Sequence, residues 1–196
     1  MQIPRRVYDW QVPFAFALVC LVTAAWRDPA RELLRYDRLA TADGEIWRLL
    51  TGHFVHLGLQ HLLLNLAGLA LVWLLVGRRY GTKQWLYVAA ISIVATGAGF
   101  WWLDTDLRWY VGLSGMLHGL LLAGAIQGIR WARWESVAIC VLVVAKLAFE
   151  QFVGPLPGSE VAAGGPVVVN AHLYGAVGGV LSAAVYWRSA RPPAYI

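Results

Sequence analysis

The sequence predicts an all-α membrane protein, a bundle of six transmembrane helices with both termini cytoplasmic. Three observations carry this. Of 196 residues, 59% are hydrophobic and only 14% charged, a balance far from that of a soluble domain. The apolar residues fall into long runs separated by short basic clusters. The chain also has 11 Trp, most of them near the ends of those runs, as an aromatic belt at a membrane interface requires. The same composition excludes a disordered chain, collagen and a coiled coil, and two Cys are too few for a disulfide scaffold. Net charge is +5, but the basic residues punctuate apolar runs rather than forming a continuous patch. They speak for a lipid bilayer and against nucleic acid as the partner.

A crossing helix needs roughly 20 apolar residues. The runs lie at about 11–26, 54–76, 85–103, 111–129, 135–153 and 167–187, which makes 1–196 a single transmembrane domain with no room for a soluble one. The first run follows Arg5 and Arg6, and no A-x-A type site follows it, so it is expected to be a retained helix. Arg5, Arg6, Arg78, Arg79, Lys83, Arg130, Arg133, Arg188 and Arg191 share one side if all six runs cross, and the positive-inside rule makes that side cytoplasmic. Connections 104–110, with Asp104 and Asp106 against Arg108, and 154–166, with Glu160 and no basic residue, belong outside. Segment 27–52 balances its charges and interleaves Leu33, Leu34, Ile46 and Trp47 with them, as a loop lying in the outer interface would. Trp10, Trp26, Trp73, Trp85, Trp101, Trp102, Trp109, Trp131, Trp134 and Trp187 are assigned to the belt, and Cys20 and Cys140 to packing.

Polar groups are costly inside a membrane, so those present are the first candidates for chemistry. His61 and Asn65 are four apart on the second run, hence on one helical face, and both can donate hydrogen bonds to a common point. The fourth run begins Gly112-Leu-Ser114-Gly115-Met-Leu-His118-Gly119, placing a serine at a helix N-terminus where free N–H groups favour a developing anion. It is not the G-x-S-x-G elbow of soluble hydrolases, since position 116 is Met. The sixth run holds Asn170-Ala-His172-Leu-Tyr-Gly175, with Gly175 and Gly179 spaced for close helix approach. A serine needs a positioned base, and His172 is the natural one. With no intramembrane carboxylate evident beside His172, a Ser114/His172 dyad is expected rather than a triad. The five histidines suggest a metal site as the competing reading, but residues 53, 56 and 61 share no helical face and no Cys or carboxylate joins them.

In combination these segments resemble the rhomboid family of intramembrane serine proteases over essentially the whole chain. The resemblance rests on Trp47-Arg48, His56, His61, Asn65, Gly112-x-Ser114-Gly115 and Ala171-His172-x-x-Gly175-x-x-x-Gly179. It implies a six-helix rhomboid-like bundle in which Ser114 is the nucleophile and His172 the base. His61, Asn65 and the Ser114 N–H form the oxyanion hole, His56 is structural, and no cofactor or metal takes part. His53 has no implied role. Many members carry Tyr where this chain has His118, which is either a stacking ring or a competing base. The compact form, His118 and Lys146-Leu-Ala-Phe-Glu150-Gln151 look most like the rhombosortase branch. That resemblance implies a bacterial inner membrane enzyme with its site toward the periplasm, acting on membrane-anchored proteins with Gly-Gly-type C-terminal anchors. Lys146 and Glu150, four apart, form either a structural ion pair or, with Gln151, part of substrate recognition. The Gly/Pro-rich stretches 154–158 and 164–166 form either a mobile cap or a tight turn. A non-catalytic, membrane-protein-binding pseudoprotease is the alternative, against which the joint presence of Ser114, His172 and the oxyanion pair argues.

Overall fold

Each of the six apolar runs carries a helix in the computed structural model, which describes residues 10–187. Arg5, Arg6, Arg188 and Arg191 lie outside the described residues. Helix α1 (Gln11–Leu34) kinks at Arg27, which has φ 57, two residues before Pro29. Pro29 supplies no N–H to continue the ladder, so a second helical piece starts there. The break falls where the apolar run ends.

The segment that follows is a folded loop, built from β1 (Tyr36–Asp37), α2 (Arg38–Ala42), α3 (Arg48–Thr51) and a 3₁₀ turn (Gly52–Phe54). Arg48 is buried at its centre: Nε donates to Glu45 at 2.6 Å, and a terminal nitrogen donates to the carbonyls of Glu32 and Arg35 at 2.8 and 3.1 Å. Helix α4 (Leu59–Val76) starts five residues into its apolar run, just after Gly58, and α5 (Thr82–Trp102) follows. Arg38 reaches across to the carbonyls of Phe100 and Trp101 at 2.8 and 2.9 Å, a cation on the free carbonyls of the α5 C-terminus.

Strand β2 (Trp109–Tyr110) then pairs antiparallel with β1, in the register Tyr36 opposite Tyr110. Helices α6 (Ser114–Gly128) and α7 (Arg133–Phe152), the short α8 (Ser159–Ala163) and α9 (Val169–Tyr186) complete the chain. Helix α6 is central, with α9 and α5 packed closely on it and α4 and α7 flanking. Among the described residues, three helices, α1, α4 and α5, are by themselves long and apolar enough to cross a membrane.

Beside a buried apolar core, the helices bury small and polar residues and leave many bulky apolar ones exposed. Ser92, Thr96 and Ser182 are buried, each donating to the carbonyl four residues back at 2.8 Å. Leu71, Val94, Leu142, Val144 and Leu181 are exposed. That much exposed apolar surface departs from the pattern of a soluble bundle and suits a lipid surround, where packing between small residues contributes to helix association. Trp73 and Trp85 depart from the belt expected of them. Both are fully buried, their rings 5.1 Å apart, and the Trp85 indole donates to the Gly77 carbonyl at 3.0 Å. Residues at a span end meet either lipid or a neighbouring helix, and position in sequence does not distinguish the two. Cys20 and Cys140 are both free thiols.

Candidate active site

The three connections 35–58, 103–113 and 153–168 meet at one end of the bundle, and Arg78, Arg79, Lys83, Arg130 and Arg133 lie at the other. The loop before Ser114 is pinned by the first connection. Gly112 N–H donates to the Gly52 carbonyl at 3.0 Å, and the Tyr110 hydroxyl to the Gly112 carbonyl at 2.6 Å. Gly112 has φ +123, and a Cβ there would run into the His61 ring, so glycine is required by both conformation and space. Ser114 is therefore the first residue of α6, where the leading N–H groups have no intrahelical acceptor.

Close packing brings α9 to α6. A Cβ on Gly175 would strike the Gly115 carbonyl, and one on Gly179 the Gly119 carbonyl. With the two backbones in contact, His172 Nε2 lies 3.0 Å from Ser114 Oγ. His118 stacks on a face of the imidazole, ring centroids 4.3 Å apart and planes 23° from parallel, while its Nδ1 lies 2.7 Å from the Ser114 carbonyl. A carbonyl only accepts, so His118 Nδ1 carries a proton and donates it there.

His61 and Asn65 face the same cavity, of about 570 Å³, as Ser114 and His172. Leu57 N–H donates to His61 Nδ1 at 3.4 Å, which leaves the neutral ring's proton on Nε2, beside Gly112 and available to a ligand. The Asn65 amide donates one proton to the His61 carbonyl at 2.9 Å and keeps a second. His56 packs edge-on to His61, ring centroids 5.1 Å apart. His53 is buried edge-on against Tyr110 and is not on the cavity. Leu156, Ser159 and Ala163, from α8 and the turn before it, close the cavity's top, and Leu64, Leu71 and Leu121 line its apolar flank. The stretch 154–166 thus holds a short helix between the two glycine-rich turns.

The expectation that no carboxylate lies beside His172 is corrected here. Glu150 Oε2 is 2.9 Å from His172 Nδ1, with Glu150 only 3% exposed, and Lys146 Nζ is 2.6 Å from the same oxygen. Lys146 and Glu150 are thus an ion pair on one face of α7, and that face also meets α9. The spacing of four revealed the pair, but not the partner 22 residues away. Gln151, grouped with them from the sequence, is exposed and does not line the cavity. Tyr110 and Gly52, which set the serine loop, were missed, and no local pattern marks them.

His118, Glu150 and His172 offer ligand atoms within 4.8 Å of one another. Their geometry fits a cation poorly. Near-parallel stacked imidazoles aim their in-plane lone pairs along parallel planes rather than at one point. The Lys146 ammonium, in addition, already faces the Glu150 oxygen.

The rhomboid domain model matches residues 43–189. The chain is 28% identical over 168 residues to "Putative rhomboid protease YdcA" of Bacillus subtilis (strain 168), a match covering 85% of this chain and 78% of that protein. It is 29% identical over 145 residues to "Rhomboid protease GluP" of the same organism, covering 73% of this chain but only 26% of that longer protein. With the family match extending over well more than half of its length, the protein belongs to the rhomboid family.

Proposed function

We propose that this protein is an intramembrane serine endopeptidase. The observation that carries the reading is the 3.0 Å approach of His172 Nε2 to Ser114 Oγ in a cavity shared with His61 and Asn65. His172 takes the hydroxyl proton as Ser114 Oγ bonds to the scissile carbonyl carbon. The carbonyl oxygen, now negative, is held by His61 Nε2–H, the Asn65 amide and the first N–H groups of α6. Protonated His172 returns its proton to the leaving amine, and water then releases the acyl group from Ser114 by the reverse sequence.

The chain crosses the bacterial inner membrane six times with both termini cytoplasmic, and the site opens toward the periplasm. The collection of basic residues at the end of the bundle away from the cavity supports this orientation. The substrate is a membrane-anchored protein presented from lipid along the apolar flank. Its helix must unwind to expose a carbonyl, which glycine near the scissile bond makes easier. With the resemblance to rhombosortases, this favours C-terminal Gly-Gly-type anchors.

The test co-expresses a tagged protein bearing a Gly-Gly-type anchor, and in parallel a general rhomboid substrate, with wild type and Ser114→Ala at matched abundance. Cleavage of the first by wild type alone is expected. Cleavage of only the second discards the anchor class. Cleavage of neither, with a cellular role surviving Ser114→Ala, makes the protein a non-catalytic binder.

A further inference from the structure

We propose that Glu150 is a positioning residue that makes the site a Ser114–His172–Glu150 triad, by selecting the one imidazole tautomer in which His172 can act as base. The proposal rests on the protease reading above and replaces a substrate-recognition role for Glu150.

Proton counting on the His172 ring assigns the role. For Nε2 to accept the Ser114 hydroxyl proton, the neutral His172 ring must carry its proton on Nδ1. That Nδ1–H needs an acceptor. Among the described residues two groups lie within reach: Glu150 Oε2 at 2.9 Å and Lys146 Nζ at 3.2 Å. An ammonium has no lone pair, so Glu150 alone can accept. Lys146 acts in the opposite sense. Free to donate to Nδ1, it would stabilise the tautomer with the proton on Nε2, which points at Ser114 Oγ as a donor and cannot take its proton. The carboxylate prevents this by binding both groups through one oxygen, with Lys146 Nζ held at 2.6 Å. When Ser114 attacks, its proton moves to Nε2, and the imidazolium keeps its Nδ1–H on an ionised Glu150. Nothing is transferred to Glu150, and its charge offsets the one that forms on the ring.

Burial fits this role better than contact with a substrate. Side-chain exposure is 2% for Glu150 and 8% for His172, against 28% for Lys146, so the carboxylate is committed to its two protein partners. The pair is also set by helix geometry. Residues 146 and 150 share a face of α7, and that face packs on the turn of α9 that carries His172.

The test uses the full chain in membranes, with two readouts: cleavage kinetics of an anchored substrate, and labelling of Ser114 by a small fluorophosphonate, which needs the activated hydroxyl but no substrate docking. Glu150→Gln should lower kcat by about 10²-fold or more with KM changed less than about threefold, and slow labelling by a similar factor. Lys146→Met should keep kcat within about tenfold. The distinguishing result is the double variant Lys146→Met/Glu150→Gln, which removes the competing donor and should recover about tenfold or more of the rate lost in Glu150→Gln. It also leaves no unpaired buried charge, so it reports on the role even if Glu150→Gln accumulates poorly. Wild-type labelling in Glu150→Gln with a raised KM would overturn the proposal and return Glu150 to substrate recognition. No recovery in the double variant would overturn the tautomer argument. If Ser114→Ala still labels or cleaves, the protease reading itself fails. If Ser114→Ala is inert and Glu150→Gln is normal, only the triad does.

Discussion

His118 lies flat against His172, centroids 4.3 Å apart, with its own Nδ1 turned away to the Ser114 carbonyl at 2.7 Å. The ring one turn along α6 from the serine is thereby committed as a stacking surface. A base competing with His172 would have to aim a free nitrogen at Ser114 Oγ, whereas the nitrogen beside Ser114 that the structure shows, Nδ1, is a donor to the Ser114 carbonyl and the hydroxyl faces His172 Nε2 instead.

His118→Phe keeps the stacked ring and removes both nitrogens, so kcat should stay within about tenfold of wild type. His118→Ala should lose more, because an aromatic contact worth about 0.5–1.5 kcal/mol goes with it. Abolished cleavage in His118→Phe would instead place proton transfer on His118.

The oxyanion donors should behave as contributors rather than as essential groups. Removing one donor from a preorganised hole slows catalysis by about 10²- to 10³-fold. Asn65→Ala and His61→Ala should each fall in that range in kcat with little change in KM, measured on an anchored substrate. His61→Ala also empties the space against Gly112 and should be the more damaging for stability.

Gly175 is where packing becomes chemistry. A methyl group there meets the Gly115 carbonyl, which must move, and with it the separation of α9 from α6. Gly175→Ala should destabilise by about 1–3 kcal/mol, seen as a lower melting temperature in detergent. Cleavage should fall by more than that loss of folded protein explains, because the His172–Ser114 distance opens. Activity that merely tracks the folded fraction would argue against the coupling.

Outside the apolar runs, burial pushes the His53 imidazole down to about 4. In the unfolded chain it titrates near 6.5, so between those values the unfolded state holds a proton that the folded state refuses. The stability His53 contributes is thus full above about pH 6.5 and is lost as pH falls toward 4. Thermal unfolding at pH 7 and pH 5 should show wild type losing stability on acidification and His53→Phe losing less.

Much of this was legible in the chain because lipid imposes a long-period signal. The helix ends at Trp102, Gly128, Phe152 and Tyr186 fall within a residue of the ends of their apolar runs, and the break at Arg27 falls where the first run stops. His61 with Asn65, and Ser114 beside Gly112 and Gly115, were legible because each group is local, its spacing a direct statement about one helix face or one turn.

What escaped was non-local. Tyr36 pairs with Tyr110 across 74 residues in a ladder of two residues per strand, too short to leave any alternation. Trp73 and Trp85 look like belt residues until they are seen packed on each other, with Tyr80 edge-on to Trp85. The Lys146–Glu150 pair was visible from its spacing, but its approach to His172 depends on how α7 docks on α9. That approach is what turns an expected dyad into a candidate triad.

The most direct measurement is cleavage of a membrane-anchored reporter by wild type, Ser114→Ala and His172→Ala in membranes matched for abundance. Product is expected with wild type and none above background with either variant. Product from Ser114→Ala at the wild-type rate would contradict the protease reading, since no other hydroxyl in the cavity has an imidazole 3.0 Å away among the described residues.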